Sequence, residues 1–242
     1  MRFFSPTLHI QKFILSSVGD KVHSGVFRGL FLANKHVAAA GIPTLLGTYE
    51  KEIESYFSAT FLEKYNLFID IGAGEGYFAN GVLKNQLKIN CLAFEQNPAG
   101  RDLIFENAKL NGFENRMTIK GSAEPSALNQ TLENNEHKNI LILVDVEGYE
   151  EVLLNPITSP LLIKTDIIVE VHECFKFGLE KLIKERFESS HKIQIVSAKK
   201  RELKDFPIPT SFWRKFLFKK YIVHLMGEGR PVGMKWFILS KK

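Results

Sequence analysis

Three groups of residues in this chain have types and spacing suited to chemistry. The first lies in LFIDIGAGEGYFANGVL, residues 67–83. There Asp70 ends a short apolar run, Gly72, Gly74 and Gly76 alternate behind it, and Tyr77 opens a helix-like pattern. The second is AFEQNP, in which Glu95, Gln96 and Asn97 follow the next apolar run. In the third, Asp145 closes NILILVD with Glu147 just beyond it, while Glu170, His172 and Glu173 close DIIVEVHE.

Glycines between a strand and a helix permit a tight turn and let a ligand approach bare backbone. A dinucleotide loop places its third glycine three residues after the second, whereas Gly74 and Gly76 are two apart. A carboxylate at Asp70 would repel a pyrophosphate, but it suits an ammonium or sulfonium charge. Glu95 ends the next strand, about 20 residues beyond the loop, where an acid accepts hydrogen bonds from both ribose hydroxyls. An acid for an amine, bare backbone and an acid for a ribose together match S-adenosylmethionine, which has those parts and no phosphate. The competing reading is that the glycines only turn the chain and Glu95 is solvated.

The third group suits proton transfer. Strand alternation puts Glu170 and His172 on one side of their strand, and His172 titrates near neutrality, so it is the natural general base. Asp145, Glu147 and His172 are expected around one cavity. Structural roles stay open beside this reading: Glu147-Gly148 as a turn, Glu170 as an anchor for a helix N-terminus. Acids with an imidazole also suit a divalent ion, but groups so loosely spaced do not define one, and no metal is assigned.

These residues need strand ends to hold them. LFIDI, INCLAFE, RMTIKG, NILILVD, DIIVEVHE, KIQIVSA and MKWFILS read as strands. Between them lie helical patterns, among them YFANGVLKN, AGRDLIFENAKLNGF and LEKLIKERFESS. Continuous apolar strands alternating with helices predict a doubly wound α/β fold whose parallel sheet is buried on both faces. Its ligands sit beyond the carboxyl ends of the strands. Upstream, LHIQKFILSSV and YEKEIESYFSATFL read as helices, and residues 25–48 as irregular. SFWRKFLFKKYIVHLM reads as an amphipathic helix packing Phe, Leu and Tyr on the sheet with lysines outside, rather than as a stacking platform built on Trp213.

Net charge is +5, unevenly spread. Residues 199–242 carry twelve Lys or Arg against three Asp or Glu, and the remainder carries 20 against 24. A basic tail on an acidic body suits nucleic acid, an anionic surface, an acidic substrate or simply water. No apolar run reaches the roughly 18–20 residues of a membrane helix. Pro6, His9 and Lys12 interrupt any signal-peptide core. Cys91 and Cys174 are the only two cysteines, too few for a disulfide scaffold or zinc site, so a reduced, cytoplasmic protein is expected.

DIGAGEG followed by AFEQNP resembles the nucleotide-binding core of class I S-adenosylmethionine-dependent methyltransferases. LVDVEGYEEVLL with DIIVEVHE resembles, more narrowly, the FkbM family of that superfamily. The resemblance covers residues 47–173 and the final MKWFILS. It implies a seven-stranded sheet with a reversed last strand; the pattern of elements adds an N-terminal helical extension at 1–46 ahead of a methyltransferase domain over 47–242. The resemblance also implies O-methyl transfer to a hydroxyl of a small molecule, sugar or glycan. Matched by position, Asp70, Gly72, Gly74 and Gly76 form the methionine-binding loop with Tyr77 at the helix start. Glu95 is the ribose acid, Gln96 and Asn97 lie by the adenine edge, and Ser122, Ala123 and Glu124 flank its ring. Asp145 falls near the transferred methyl. No Asn-Pro-Pro-Tyr or Asp-Pro-Pro-Tyr run follows the fourth strand, which disfavours N-methylation. An RNA methyltransferase using the basic C-terminal segment, and a cofactor binder without turnover, remain as alternatives.

Overall fold

The computed structural model describes residues 5–33, 41–231 and 233–242. Seven strands form one sheet: β1 Leu67–Ile71, β2 Asn90–Phe94, β3 Met117–Lys120, β4 Ile140–Val144, β5 Asp166–Val171, β6 His191–Ser197 and β7 Lys235–Lys241. Their order is β3-β2-β1-β4-β5-β7-β6. β1 to β5 run parallel, and β7 is antiparallel to both β5 and β6. The chain winds outward from β1 in one direction to β3 and returns to β4 on the other side. The crevice between the ends of β1 and β4 is therefore the switch point at which such sheets take ligands.

The helices are α1 Pro6–Val18, α2 Gly41–Leu46, α3 Ala59–Leu62, α4 Tyr77–Asn85, α5 Pro98–Asn111, α6 Pro125–Glu133, α7 Glu150–Leu153, α8 Leu179–Phe187 and α9 Phe212–Leu225. α5 shows its boundaries in sequence: Asn97 caps the Ala99 amide, Pro98 opens the first turn and Gly112 stops it in the left-handed conformation. β1, β4 and β5 are buried along their whole length, as strands covered on both faces must be. Phe68, Leu141, Leu143, Ile168 and Trp236 pack on one face, and Ile69, Ile142, Val169, Phe187 and Phe237 on the other.

Three upstream and downstream elements differ from expectation. The helix expected over YEKEIESYFSATFL is a 3₁₀ segment, Lys51–Phe57, followed by α3. Ser58 is extended and its hydroxyl caps the Phe61 amide, so it ends one helix and begins the next. The stretch at 25–48, partly outside the described residues, contains α2. α9 does not lay its apolar side on the sheet. It packs through Ile222 and Met226, with Phe218 and Tyr221, against Ile10 and Ile14 of α1. Phe212, Trp213, Phe216 and Leu217 stay exposed.

The N-terminal segment contributes to the core of the sheet. Val22, Phe27 and Leu30 are buried in the same cluster as Phe57, Phe68 and Leu83. Phe27 lies so close to α4 that a Cβ on Gly81 would fall 2.5 Å from its ring. No described helix is long and apolar enough to cross a membrane.

Candidate active site

The loop after β1 is shaped by backbone contacts. Gly72 and Ala73 donate to the Phe94 carbonyl, and Gly76 donates to Ala73. Gly72, Gly74 and Gly76 all have positive φ, which glycine adopts without steric cost. A Cβ on Gly72 would sit 1.8 Å from the Asp145 carbonyl oxygen, so the loop lies directly against the end of β4. A Cβ on Gly74 would meet nothing within 4 Å. One glycine is needed for close packing, and the other leaves space facing a cavity.

That cavity has a volume of about 750 Å³. Asp70, Gly72, Gly74, Tyr77, Glu95, Gln96, Asn97, Ser122, Ala123, Glu124, Asp145 and Glu147 all line it. Gly76 does not; it caps α4 from behind the loop. His172 does not line the cavity either. The expected trio around one opening is therefore reduced to Asp145 and Glu147, and His172 stands behind Asp145.

Glu95 is held by two backbone donors, Gly74 N–H to Oε2 and Asn97 N–H to Oε1, each at 2.7 Å. A carboxylate has about four acceptor sites, so two remain for a ligand. Gly100 makes room for this arrangement, since its Cβ would approach Glu95 Cγ to 2.9 Å. Asp70 is 2% exposed and its Oδ2 has no hydrogen-bond partner. Burial, then the charge of Asp145, pushes its pKa up to about 8. A cation entering the cavity would meet this carboxyl and relieve that cost. The orphaned oxygen, the space at Gly74 and the free acceptor sites of Glu95 fit the ammonium, methionine chain and ribose of S-adenosylmethionine.

Behind Asp145 lies a buried relay. His172 Nδ1 is 2.5 Å from Glu150 Oε1, and its Nε2 is 3.5 Å from Asp145 Oδ1 and 3.6 Å from Glu170 Oε2. The Phe175 ring stacks on the imidazole. Burial opposes protonation of His172, but the Glu150 hydrogen bond and the surrounding acids outweigh it and raise its pKa above the ordinary value. Burial and the neighbouring Asp145 raise Glu170 in turn. Ligand atoms of Asp145, Glu170 and His172 lie within 4.8 Å of one another. A divalent ion held there would take a neutral imidazole and two ionised acids, so its binding would release protons.

Further residues complete the walls without any motif to announce them. Thr44, Tyr49, Phe78 and Trp236 also line the cavity. Arg230 lies over the rings of Tyr49 and Trp236. It pairs with Glu50, with Glu170 at 2.9 Å and with Glu228 at 3.2 Å. Tyr149 donates its hydroxyl to Glu124 at 3.0 Å, joining two cavity-lining segments. Glu150 sits inside the DVEGYE run, but its partner is 22 residues away and no spacing rule links them.

No family model matches the chain, and no curated protein matches it. Among solved structures it is similar to precorrin-6y C5,15-methyltransferase from Geobacter metallireducens. That match has a TM-score of 0.54 and 12% identity, covering 88% of this chain and 97% of that one. A putative O-methyltransferase from Klebsiella pneumoniae matches at TM-score 0.49 and 14% identity, over 99% of this chain and 92% of that one. The O-methyltransferase from Bacillus cereus, in complex with SAH, matches at 0.49 and 10%, over 99% and 93%. At such identity the likeness to the Geobacter enzyme is one of fold. The chain has the seven-stranded, mostly parallel, Rossmann-like methyltransferase fold.

Proposed function

We propose that this protein is an S-adenosylmethionine-dependent methyltransferase of FkbM type, acting on a hydroxyl of a small molecule, sugar or glycan. One observation carries the reading: a buried Asp70 whose Oδ2 has no hydrogen-bond partner and a backbone-anchored Glu95 line one cavity across an open glycine. When bound, the cofactor supplies a methyl group already activated by its sulfonium charge. Asp70 receives the ammonium, Glu95 accepts the ribose hydroxyls, and the 122–124 segment flanks the adenine.

Asp145 is the acid–base group of the acceptor side, since it lines the cavity and has an imidazole behind it. Its carboxylate would take the proton of an acceptor hydroxyl held in the cavity. His172, held as a cation by Glu150, keeps Asp145 ionised and oriented, which makes it a positioning residue. Tyr49 and Trp236 form aromatic walls against which a ring-bearing acceptor packs. Alignment of acceptor and methyl is the main contribution asked of the site, worth up to about 7–11 kcal/mol where geometry is ideal.

Calorimetry with S-adenosylmethionine and its demethylated product tests the cofactor. Glu95→Ala should weaken both by about 1.5–3 kcal/mol through two lost charge-assisted hydrogen bonds. Unchanged affinity, or tight binding of a nicotinamide dinucleotide, would refute the assignment. Transfer of labelled methyl into panels of hydroxylated sugars, lipids and RNA identifies the acceptor class. An RNA acceptor would reveal itself by affinity that falls steeply with salt.

A further inference from the structure

We infer that the outer face of α9 is a docking surface for an anionic lipid membrane. Phe212 is 73% exposed, Trp213 68%, Phe216 65% and Leu217 65%. They occupy one side of the helix in i, i+4 pairs. Their aromatic members pack on each other, Phe212 lying 5.8 Å from Trp213 and 6.2 Å from Phe216 between centroids. The opposite side is already occupied, with Ile222 and Phe218 set against α1. α9 thus presents large apolar side chains on both faces, and such a face is normally buried. Folding accounts for one face only.

The charge around the second face selects the occupant. Lys219 and Lys220 are exposed along it, and no Asp or Glu occurs between Asp205 and Glu228. Aromatic and aliphatic side chains bordered by lysines match the boundary of an anionic bilayer, where rings enter the interface and ammonium groups meet lipid phosphates. A second copy of the chain would oppose lysine to lysine, because a two-fold contact pairs each patch with itself. RNA would meet the charge but leave Phe212, Phe216 and Leu217 against sugar and phosphate.

The test uses the full chain with vesicles of phosphatidylcholine alone, or mixed with phosphatidylglycerol. Sedimentation should show binding to the anionic vesicles and little to the neutral ones. Trp213 emission should shift to the blue on binding, while Trp236, fully buried, stays constant. Trp213→Ser with Phe216→Ser should weaken partitioning by at least about tenfold. Lys219→Gln with Lys220→Gln should weaken it by roughly fivefold per lysine. All four positions are exposed, so an unchanged melting temperature will show that the variants fold. No binding to anionic vesicles, or no emission shift, overturns the inference. So does equal binding to neutral vesicles that the lysine variant leaves intact. A dimer without lipid that Trp213→Ser with Phe216→Ser dissolves, or an emission shift with oligouridylate but not vesicles, overturns it in favour of those partners.

Discussion

At the scale of single residues, the site is dominated by acids whose protonation the fold controls. Burial, then the charge of Asp145, pushes the Asp70 pKa up to about 8. A cation binds the ionised form, so affinity for S-adenosylmethionine should rise as pH increases towards about 8 and then level off. Binding below that pH should release a proton, measurable by calorimetry in buffers of different ionisation enthalpy. Asp70→Asn should abolish both effects, and a flat pH profile in the wild type would contradict this role. Stability follows the same linkage. An acid whose pKa is raised on folding contributes fully below its unfolded pKa and loses that contribution as pH climbs to the folded one. The melting temperature of the unliganded protein should therefore fall between about pH 5 and pH 8, with a shallower slope in Asp70→Asn. On the acceptor side, Asp145→Asn should lower turnover by about 100- to 10,000-fold with little change in cofactor affinity. His172→Ala should reduce turnover less. It should also move the acidic limb of the pH–rate profile upward, because Asp145 loses the cation that favours its charge. A loss of rate without that displacement would mark His172 as structural.

The elements differ in how much they depend on one contact. Gly72 joins the loop after β1 to the end of β4, whereas a Cβ on Gly74 in the same loop would meet nothing within 4 Å. Gly72→Ala should disturb the packing of both strands and cost stability as well as cofactor binding. Gly74→Ala should cost roughly 1–2 kcal/mol of backbone strain and act mainly on affinity, by placing a methyl group in the cavity. Equal melting temperatures for the two variants would refute this division. The segment around Phe27 behaves as part of the central layer. Phe27→Ala removes a buried ring from α4 and should destabilise by about 3–5 kcal/mol in urea titrations, far more than a dispensable extension would.

For the molecule as a whole, a buried arginine, Arg201, and a half-buried one, Arg230, tie the C-terminal segment to residues 50–52 and to the sheet. Arg201 pairs with Glu52 at 2.6 Å and Glu228 at 2.8 Å. Arg230 ties Glu50 and Glu228 to Glu170 on β5. The wall formed by Tyr49 and Trp236 therefore rests on ion pairs between residues about 180 positions apart. Arg230→Met would leave buried Glu50 without its cation and buried Glu170 without its 2.9 Å partner, while Glu228 keeps Arg201, at a cost of about 3–5 kcal/mol. The loss should be larger at pH 8 than at pH 6. Burial pushes Glu228 up to about 7 even with Arg201 beside it, so losing the Arg230 charge makes its ionised form costlier above that pH. Denaturant unfolding at the two pH values checks this, and a cost independent of pH would contradict it.

The strands, the glycine loop and the acids of the cofactor side were legible in the sequence, because each depends on local order. Continuous apolar runs identify strands buried on both faces, and Asp70 and Glu95 stand at strand ends wherever those runs stop. Depth and distance are not local quantities. Alternation assigned His172 a side of β5, but the packing of α7 decided that Glu150 would hold it behind Asp145. The same limit applied to α9, whose period of apolar residues signalled a helix with a face to bury. It packed on α1, leaving Phe212 and Trp213 outward, because the sheet face they might have covered was already filled by Phe27, Phe57 and Leu30. Tyr49, Arg230 and Trp236 meet at the cavity only because β7 enters the sheet antiparallel to β5 and brings the C-terminal segment back over it. Periodicity determines which side of an element is apolar, and the competition among elements for the same sheet surface determines what that side meets.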